Sequence, residues 1–410
     1  MQHDIIIAGG GIAGLTAAAA FGQAGFSVLC VDPSPPVTSR DAASADLRST
    51  AFLQPARGFL ETTGIWPRLA PHATPLDTMR IIDAGGAATD APISDSPASH
   101  NPISRDFEAR DISDLPFGWN LPNWLLRREL AARLGELDKV TFVIGASVTG
   151  LFTRTNMARV TLSDGQHHMA KLVIAADGRN STLRQAANIP VKTTRFGQKA
   201  LAFAVTHPIP HCNVSTEVHR SGGPFTLVPL PDFDGMPSSA VVWMDEGPKA
   251  QALFDMDTTA FEAAMTERST GIFGPLRLVS RRSIWPIVAQ CAGQLAGERL
   301  ALVAEAAHVV PPIGAQGLNM SLQDLSTLLD LAIAQPDRLG DQQMLDQYHR
   351  ARITDIRARV AGITALNRAS MLSAAPLRKL RAAGISALHD VTPVRRALMQ
   401  IGLGSKRRHP

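Results

Sequence analysis

4-DIIIAGGGIAGLTAAAAFGQAGFSVLCVD-32 decides the architecture. Ile5 to Ala8 form a short apolar run after an acid, the pattern of a strand buried on both faces. Gly9-Gly10-Gly11-Ile12-Ala13-Gly14 follows and reads G-x-G-x-x-G. Leu15 to Ala24 is a helix of small residues, and Phe26 to Val31 is a second extended run closed by Asp32. Strand, glycine turn, helix and strand make one unit of a dinucleotide fold. Gly9 is expected to make the tight turn, Gly11 to admit a pyrophosphate to the backbone, and Gly14 to let helix and strand pack closely. The helix start offers free N–H groups and a positive dipole end to phosphates. Asp32 is placed to accept a ribose hydroxyl. The fingerprint serves FAD and NAD alike, so the rest of the chain must choose.

Ile5 to Val31 contains no charge, as a secretory leader or a membrane span would. Gln2, His3 and Asp4 precede it in place of a basic segment, and the glycines cut it in two, so neither is expected. The 410 residues are 45% hydrophobic and 19% charged, which suits a globular chain of two or three domains. Cys30, Cys212 and Cys291 lie far apart, which gives neither a disulfide framework nor zinc spacing. A reducing cytoplasm is the expected compartment and no metal site is expected. Charge is uneven. Residues 368–410 hold nine Lys or Arg and one acid, a net +8, against about −4 for the body. With Leu377, Leu380, Ile385, Leu388 and Leu398 interleaved, this tail fits an anionic membrane surface or a partner, or a solvated face packed on the protein itself. Nothing in it favours nucleic acid.

Two further strand ends carry acids. Lys171 to Ala176 reads as a buried strand ending in Asp177-Gly178, with Ser181 and Arg184 after it. An earlier Asp164-Gly165 reads as a plain hairpin turn. The third is 299-RLALVAEAAHVVPPIGAQGLNMSLQD-324, a strand that breaks into a loop of Glu305, His308, two prolines and two glycines. A helix is expected to open at Asn319. Ligands of open α/β sheets bind at the carboxyl ends of strands.

G-x-G-x-x-G, then A-D-G-x-x-S-x-x-R, then A-E-A-A-H-x-x-P-P-I-G-A-Q-G-L-N, in that order, resembles the flavin-dependent aromatic hydroxylases, those like para-hydroxybenzoate hydroxylase. The ubiquinone-biosynthesis branch is the closer likeness. Asp46-Leu47-Arg48-Ser49-Thr50-Ala51 matches D-x-R-x-x-A, Arg127-Arg128-Glu129-Leu130 matches R-x-x-L, and 224-PFTLVPLP-231 resembles a strand of the substrate domain. The resemblance covers nearly the whole chain. It implies an α/β fold, with a Rossmann-like FAD-binding domain (1–75, 109–184 and 276–345), an inserted mixed-sheet substrate domain (76–108 and 185–275) and a helical C-terminal segment (346–410) with the basic tail.

The resemblance also implies a site. Gly9, Gly11, Gly14 and Asp32 hold the ADP half of FAD, and Arg48 and Arg127 touch the cofactor. Asp177 stands near the pyrophosphate, Glu305 by the ribityl chain, and Gly317, Leu318 and Asn319 beside the flavin ring. Only one dinucleotide fingerprint is present, so NAD(P)H or a protein electron donor acts without a nucleotide domain of its own. The implied reaction is hydroxylation of a polyprenylated phenol in ubiquinone biosynthesis through a flavin C4a-hydroperoxide. Oxygen chemistry belongs to the flavin, so no catalytic side chain is assigned, and His308 is expected to pack under the loop. The alternatives are a hydroxylase of a soluble small aromatic and a non-catalytic FAD-fold protein that binds lipid. Trp285-Pro286-Ile287 lacks the W-x-W-x-I-P of flavin halogenases. The common G-D-A-A-H is Ala304-Glu305 here, and the usual A-G-Q-G is Gly314-Ala315-Gln316-Gly317. Glutamate keeps the charge and adds a methylene, so either the backbone shifts slightly or FAD binds less tightly. The expected location is cytoplasmic, peripheral on the inner membrane face if the tail docks there.

Overall fold

A computed structural model describes residues 1–84, 103–220, 222–371 and 392–404. Ile5, Ile6 and Ile7 are wholly buried in the strand Gln2–Ala8, because a parallel sheet is covered on both faces. That strand lies at the centre of the first sheet. Val28–Asp32 and then Val140–Ile144 flank it on one side, and His167–Ala175 and then Leu300–Leu302 on the other, all parallel. The order therefore reverses between Gln2–Ala8 and His167–Ala175, and Ala8 pairs with Ala175 at the carboxyl ends. This is the switch point where such sheets open a ligand crevice. Ile12–Gln23 is a helix buried almost all round, as its alanines require. The Asp164-Gly165 hairpin joins Ala158–Leu162 to His167–Ala175, with Gly165 at φ 84°.

The second sheet has nine strands. In order they are His308–Val309, Ser283–Ala292, Val191–Thr206, Met236–Glu246, Pro224–Phe233, Val214–His219, Thr78–Asp83 and Ile103–Glu108, with Arg277–Leu278 beside Val191–Thr206. Its faces differ by strict alternation. Leu201, Phe203, Val205, Val241 and Trp243 pack in one core with residues of the helices Gly247–Asp255 and Thr258–Arg268. Ala200 and Met244 belong instead to the core of the first sheet. A small sheet of Ser49–Leu53, Gly118–Pro122 and Thr74–Leu76 completes the body.

The segment 276–345, expected in the FAD-binding domain, gives three strands to the second sheet, Arg277–Leu278 and His308–Val309 as well as Ser283–Ala292. Ser283–Ala292 pairs with Val191–Thr206 from Val191↔Ala292 to Ala202↔Ser283. Pro286 argues against a central strand, since proline cannot donate to the ladder. Here it faces Lys199, at the end of an irregularity between Arg195 and Lys199 where the ladder is already interrupted.

The helix Gln342–Met371 spans both layers. Tyr348 donates its hydroxyl to the Leu302 carbonyl at 2.8 Å, and Asn367 donates to Gln198 of the second sheet at 2.8 Å. A last helix, Thr392–Leu403, buries Met399 and Leu403. Of the basic tail, Arg378, Lys379, Arg381, Lys406, Arg407 and Arg408 lie outside the described residues, as do Leu377, Leu380, Ile385 and Leu388. Among the described residues no helix is long and apolar enough to cross a membrane.

Candidate functional site

The glycine turn rests directly on the next strand end. Gly9 adopts φ 103°, and a Cβ there would come within 2.3 Å of the Ala176 carbonyl oxygen. A Cβ on Gly14 would stand 1.8 Å from the Gly9 oxygen, so only glycine permits this approach of helix to strand. Gly11 is different, because a Cβ there meets nothing within 4 Å. The protein leaves open space above it. Gly11 is also the N-cap of the helix Ile12–Gln23 and supplies no side-chain partner, so the first-turn N–H groups await a ligand. Asp32 accepts from Gly10 N–H at 2.5 Å and from Ser34 N–H at 2.9 Å. Its carboxylate thus also moulds the turn, and carboxylate oxygens have further lone pairs for a ribose hydroxyl.

Asp177 follows the neighbouring strand. Its Oδ2 accepts from Leu183 N–H at 3.2 Å, while Oδ1 is buried without any partner. Ser181 caps the short helix Thr182–Ala186 by accepting from Arg184 N–H at 3.0 Å. The buried Arg184 guanidinium donates to the carbonyls of Ala306 at 2.8 Å and Arg179 at 2.9 Å. It ties the second motif to the third, and burial pushes its pKa down while Asp177 opposes the shift.

In the third motif Ala304 is left-handed at φ 54°, as is Ala315 at φ 55°. The Glu305 carboxylate is half exposed and pairs with Arg179 at 3.4 Å. The helix Gln316–Ala334 opens three residues earlier than expected, because the left-handed Ala315 turns the chain into it. Ala315 caps nothing with its side chain, so these N–H groups too are free for a ligand. A Cβ on Gly317 would touch only Val310, at 3.9 Å. Leu318 packs on the main core. Asn319 sits inside the first turn and acts as a clamp. It accepts from Leu53 N–H at 2.9 Å and donates to the carbonyls of Ala51 at 2.8 Å and Ala315 at 2.6 Å.

Two arginines complete the set. Arg48 forms a bidentate pair with Asp46, both bonds at 2.8 Å, and lies 5.4 Å from the Trp285 ring. Burial alone would raise the Asp46 carboxyl, but Arg48 and Asn123 outweigh it and hold it below the usual range. Asp46 in turn raises the Arg48 pKa, and the field of Glu305 adds to this. Arg127 lies one turn inside the helix Asn123–Leu134, which packs against Ile12–Gln23, and its Nε is buried with no partner. His308 is buried and bonds Asp324 at 2.7 Å, under the loop and not in the crevice.

The three motifs therefore meet at one edge, since Ala8, Ala175 and Leu302 are consecutive neighbours across the sheet. Sequence reasoning matched Asp46 to a motif without seeing its role as partner of Arg48, which only the bidentate geometry reveals. It missed the Arg179–Glu305 pair, because an arginine after D-G carries no signal of a partner 126 residues away. Open space at Gly11, two uncapped helix starts and the orphaned donor Arg127 Nε fit the phosphates of a dinucleotide, and the orphaned acceptor Asp177 Oδ1 fits one of its hydroxyls.

Comparison with known proteins agrees. Residues 2–364 match the family model described as FAD binding domain. The chain is 31% identical to ubiquinone hydroxylase UbiL of Rhodospirillum rubrum over 99% of its own length and 91% of that protein. It is 24% identical to 3-demethoxyubiquinol 3-hydroxylase of Escherichia coli, with 98% of both chains covered. Among solved structures it resembles p-nitrophenol 4-monooxygenase PnpA from Pseudomonas putida, with a TM-score of 0.78, 99% of both chains covered and 18% identity, a likeness of fold. The chain belongs to the FAD-binding-domain family and is a flavin-dependent monooxygenase.

Proposed function

We propose that this enzyme hydroxylates the aromatic ring of a polyprenylated phenol in ubiquinone biosynthesis. The observation that carries the reading is full-length similarity to a ubiquinone hydroxylase, with all three motifs on one sheet edge. FAD, when bound, activates O₂ and delivers one oxygen atom to the ring. The chain's own residues bind and orient. Gly9, Gly11 and Gly14 give the pyrophosphate a bare backbone, Asp32 takes the ribose, and Arg127 and Asp177 offer their unpaired atoms to the cofactor. Arg48 and Glu305 bring opposite charges to its middle. Gly317, Leu318 and the clamped Asn319 would hold the flavin end of the cofactor at a helix start, whose N–H groups would stabilise negative charge there. The second sheet reaches the site at Trp285, which lies 5.4 Å from the Arg48 guanidinium.

NAD(P)H or a protein electron donor is the proposed reductant, acting without a nucleotide domain of its own. The proposed location is peripheral, with the basic C-terminal tail on an anionic membrane surface that also supplies the lipid substrate. Exposed Arg396 on the last described helix is consistent with this.

Lipid-quinone profiles of cells lacking the gene test the reading. A lost ubiquinone peak beside a precursor one hydroxyl short, both restored by complementation, is the expected result. An unchanged ubiquinone pool would count against it. Gly317→Leu tests the flavin placement. A Cβ there has room, so the variant should fold, melt with the flavin-free wild type and purify colourless. A fully yellow variant would sink the placement.

A further inference from the structure

A chain of charges, buried at His308, Asp324 and Arg352 and partly exposed at Asp355 and Arg359, loops from one end of the flavin segment back to the other. His308 bonds Asp324 Oδ2 at 2.7 Å. Arg352 donates from Nε to Asp324 Oδ1 at 2.8 Å and from Nη1 to Asp355 at 3.0 Å. Asp355 also accepts from Arg359 Nε, at 3.1 and 3.2 Å. Arg359 Nη1 donates to Gln316 Oε1 at 2.8 Å. Gln316 then donates from Nε2 to the Gly314 carbonyl at 2.9 Å and to the Gly402 carbonyl at 3.1 Å. The loop from His308 to Gln316 is thus anchored at both ends to the helix Gln342–Met371.

The last bond leaves that ring. Gly402 belongs to the C-terminal helix Thr392–Leu403, and Gly404 just beyond it turns at φ 75° close under the Arg359 guanidinium, where a Cβ would lie 3.2 Å from Nη2. Near its other end Arg395 pairs with Asp111 at 3.0 Å, in the turn Ala109–Asp111 that follows the strand Ile103–Glu108 of the second sheet. Among the described side chains between, Met399 and Leu403 are buried. The helix therefore bridges from the turn after that strand to the residue directly before Gly317.

We propose that Arg359 and Gln316 are positioning residues that couple docking of the C-terminal helix to the flavin segment 317–319. The inference rests on the reading that this segment borders the flavin. A docked helix fixes Gln316, Gln316 fixes the first turn of Gln316–Ala334, and that turn presents its N–H groups to the cofactor. Undocking frees the Gln316 amide and loosens the turn. Such coupling is reciprocal, so bound FAD must favour the docked helix to the same degree.

Amide hydrogen exchange over residues 392–403 of the full-length protein, with and without saturating FAD, tests this. In the wild type FAD should slow exchange there. Arg359→Met keeps helix propensity and bulk but cuts the link, so the FAD-dependent protection should vanish and FAD should bind roughly 2- to 30-fold more weakly. Gln316→Glu keeps the arginine bond and removes the donor to Gly402, so it should lose the protection too. Arg357→Met is the control. It breaks a bond from the same helix to the Gly293 carbonyl, and both readouts should stay at wild-type values. Protection that survives in Arg359→Met and Gln316→Glu, or that falls equally in Arg357→Met, would overturn the coupling. Wild-type protein that takes up no FAD would overturn instead the placement of the flavin site.

Discussion

Ala304 and Ala315 hold the left-handed backbone at φ 54° and 55°, the region that favours glycine. An L side chain there crowds its own carbonyl at a cost of about 1 kcal/mol. Ala304→Gly should therefore raise stability by about 1 kcal/mol, less the extra freedom of glycine in the unfolded chain. A loss of about 1 kcal/mol, the full cost of that freedom, would show that the turn carries no strain. The sequence displayed both alanines but not their conformation, because φ at one residue depends on what its neighbours must reach. Glu305 shows the same limit. Its extra methylene, an expected burden on the backbone, accompanies a half-exposed carboxylate that meets Arg179, a partner no local pattern foretells.

At the scale of elements, the three strand ends were legible because each motif is a strand, a turn and a helix start within some fifteen residues. Elements stitched by distant side chains were not. The Asp46–Arg48 clasp sits between Asn123 of one helix and Trp285 of a strand in the second sheet. Its pH behaviour follows from the sign of the shift. The Asp46 pKa is depressed in the fold, so the clasp contributes fully above the unfolded value of about 3.9 and is lost as pH falls through the folded one. Asp46→Asn should melt below the wild type at pH 7, and the gap should close as pH drops below about 4. A gap that stays constant across this range would mean that the Asp46 charge contributes nothing. Arg48 is partly exposed, so the effect is small.

Across the whole molecule, the order of motifs foretold a dinucleotide fold carrying a second sheet, while Ser283–Ala292 read as part of the FAD-binding segment 276–345 and only its pairing with Val191–Thr206 places it in that sheet. The buried Asp324 was equally silent, since an acid in a leucine-rich helix reads as a surface residue until His308 and Arg352 close on it. Removing it leaves those groups buried without their partner. Asp324→Leu should cost about 3–5 kcal/mol, measured as thermal or denaturant unfolding. A loss below about 1 kcal/mol would show that the chain of charges relaxes to water. The proposed membrane role is also a property of the whole. The protein should sediment with anionic vesicles and not with neutral ones, and release with salt, as electrostatic attachment demands. Equal binding to both would refute it.

The second sheet takes its strands from separate stretches of chain, and this bears on synthesis. Thr78–Asp83 emerges from the ribosome long before Val214–His219, its parallel neighbour, and Val191–Thr206 waits for Ser283–Ala292 to cover its edge. The first sheet likewise lacks Leu300–Leu302 until late in translation. Neither sheet can close before its last strand, Leu300–Leu302 or His308–Val309, has been made, so apolar strands stand open until about three-quarters of the chain has appeared. Late closure of distant pairings is slow and exposes the nascent chain to aggregation. Yield in the cell should therefore depend on chaperone supply and on temperature during growth more than on the stability of the finished enzyme.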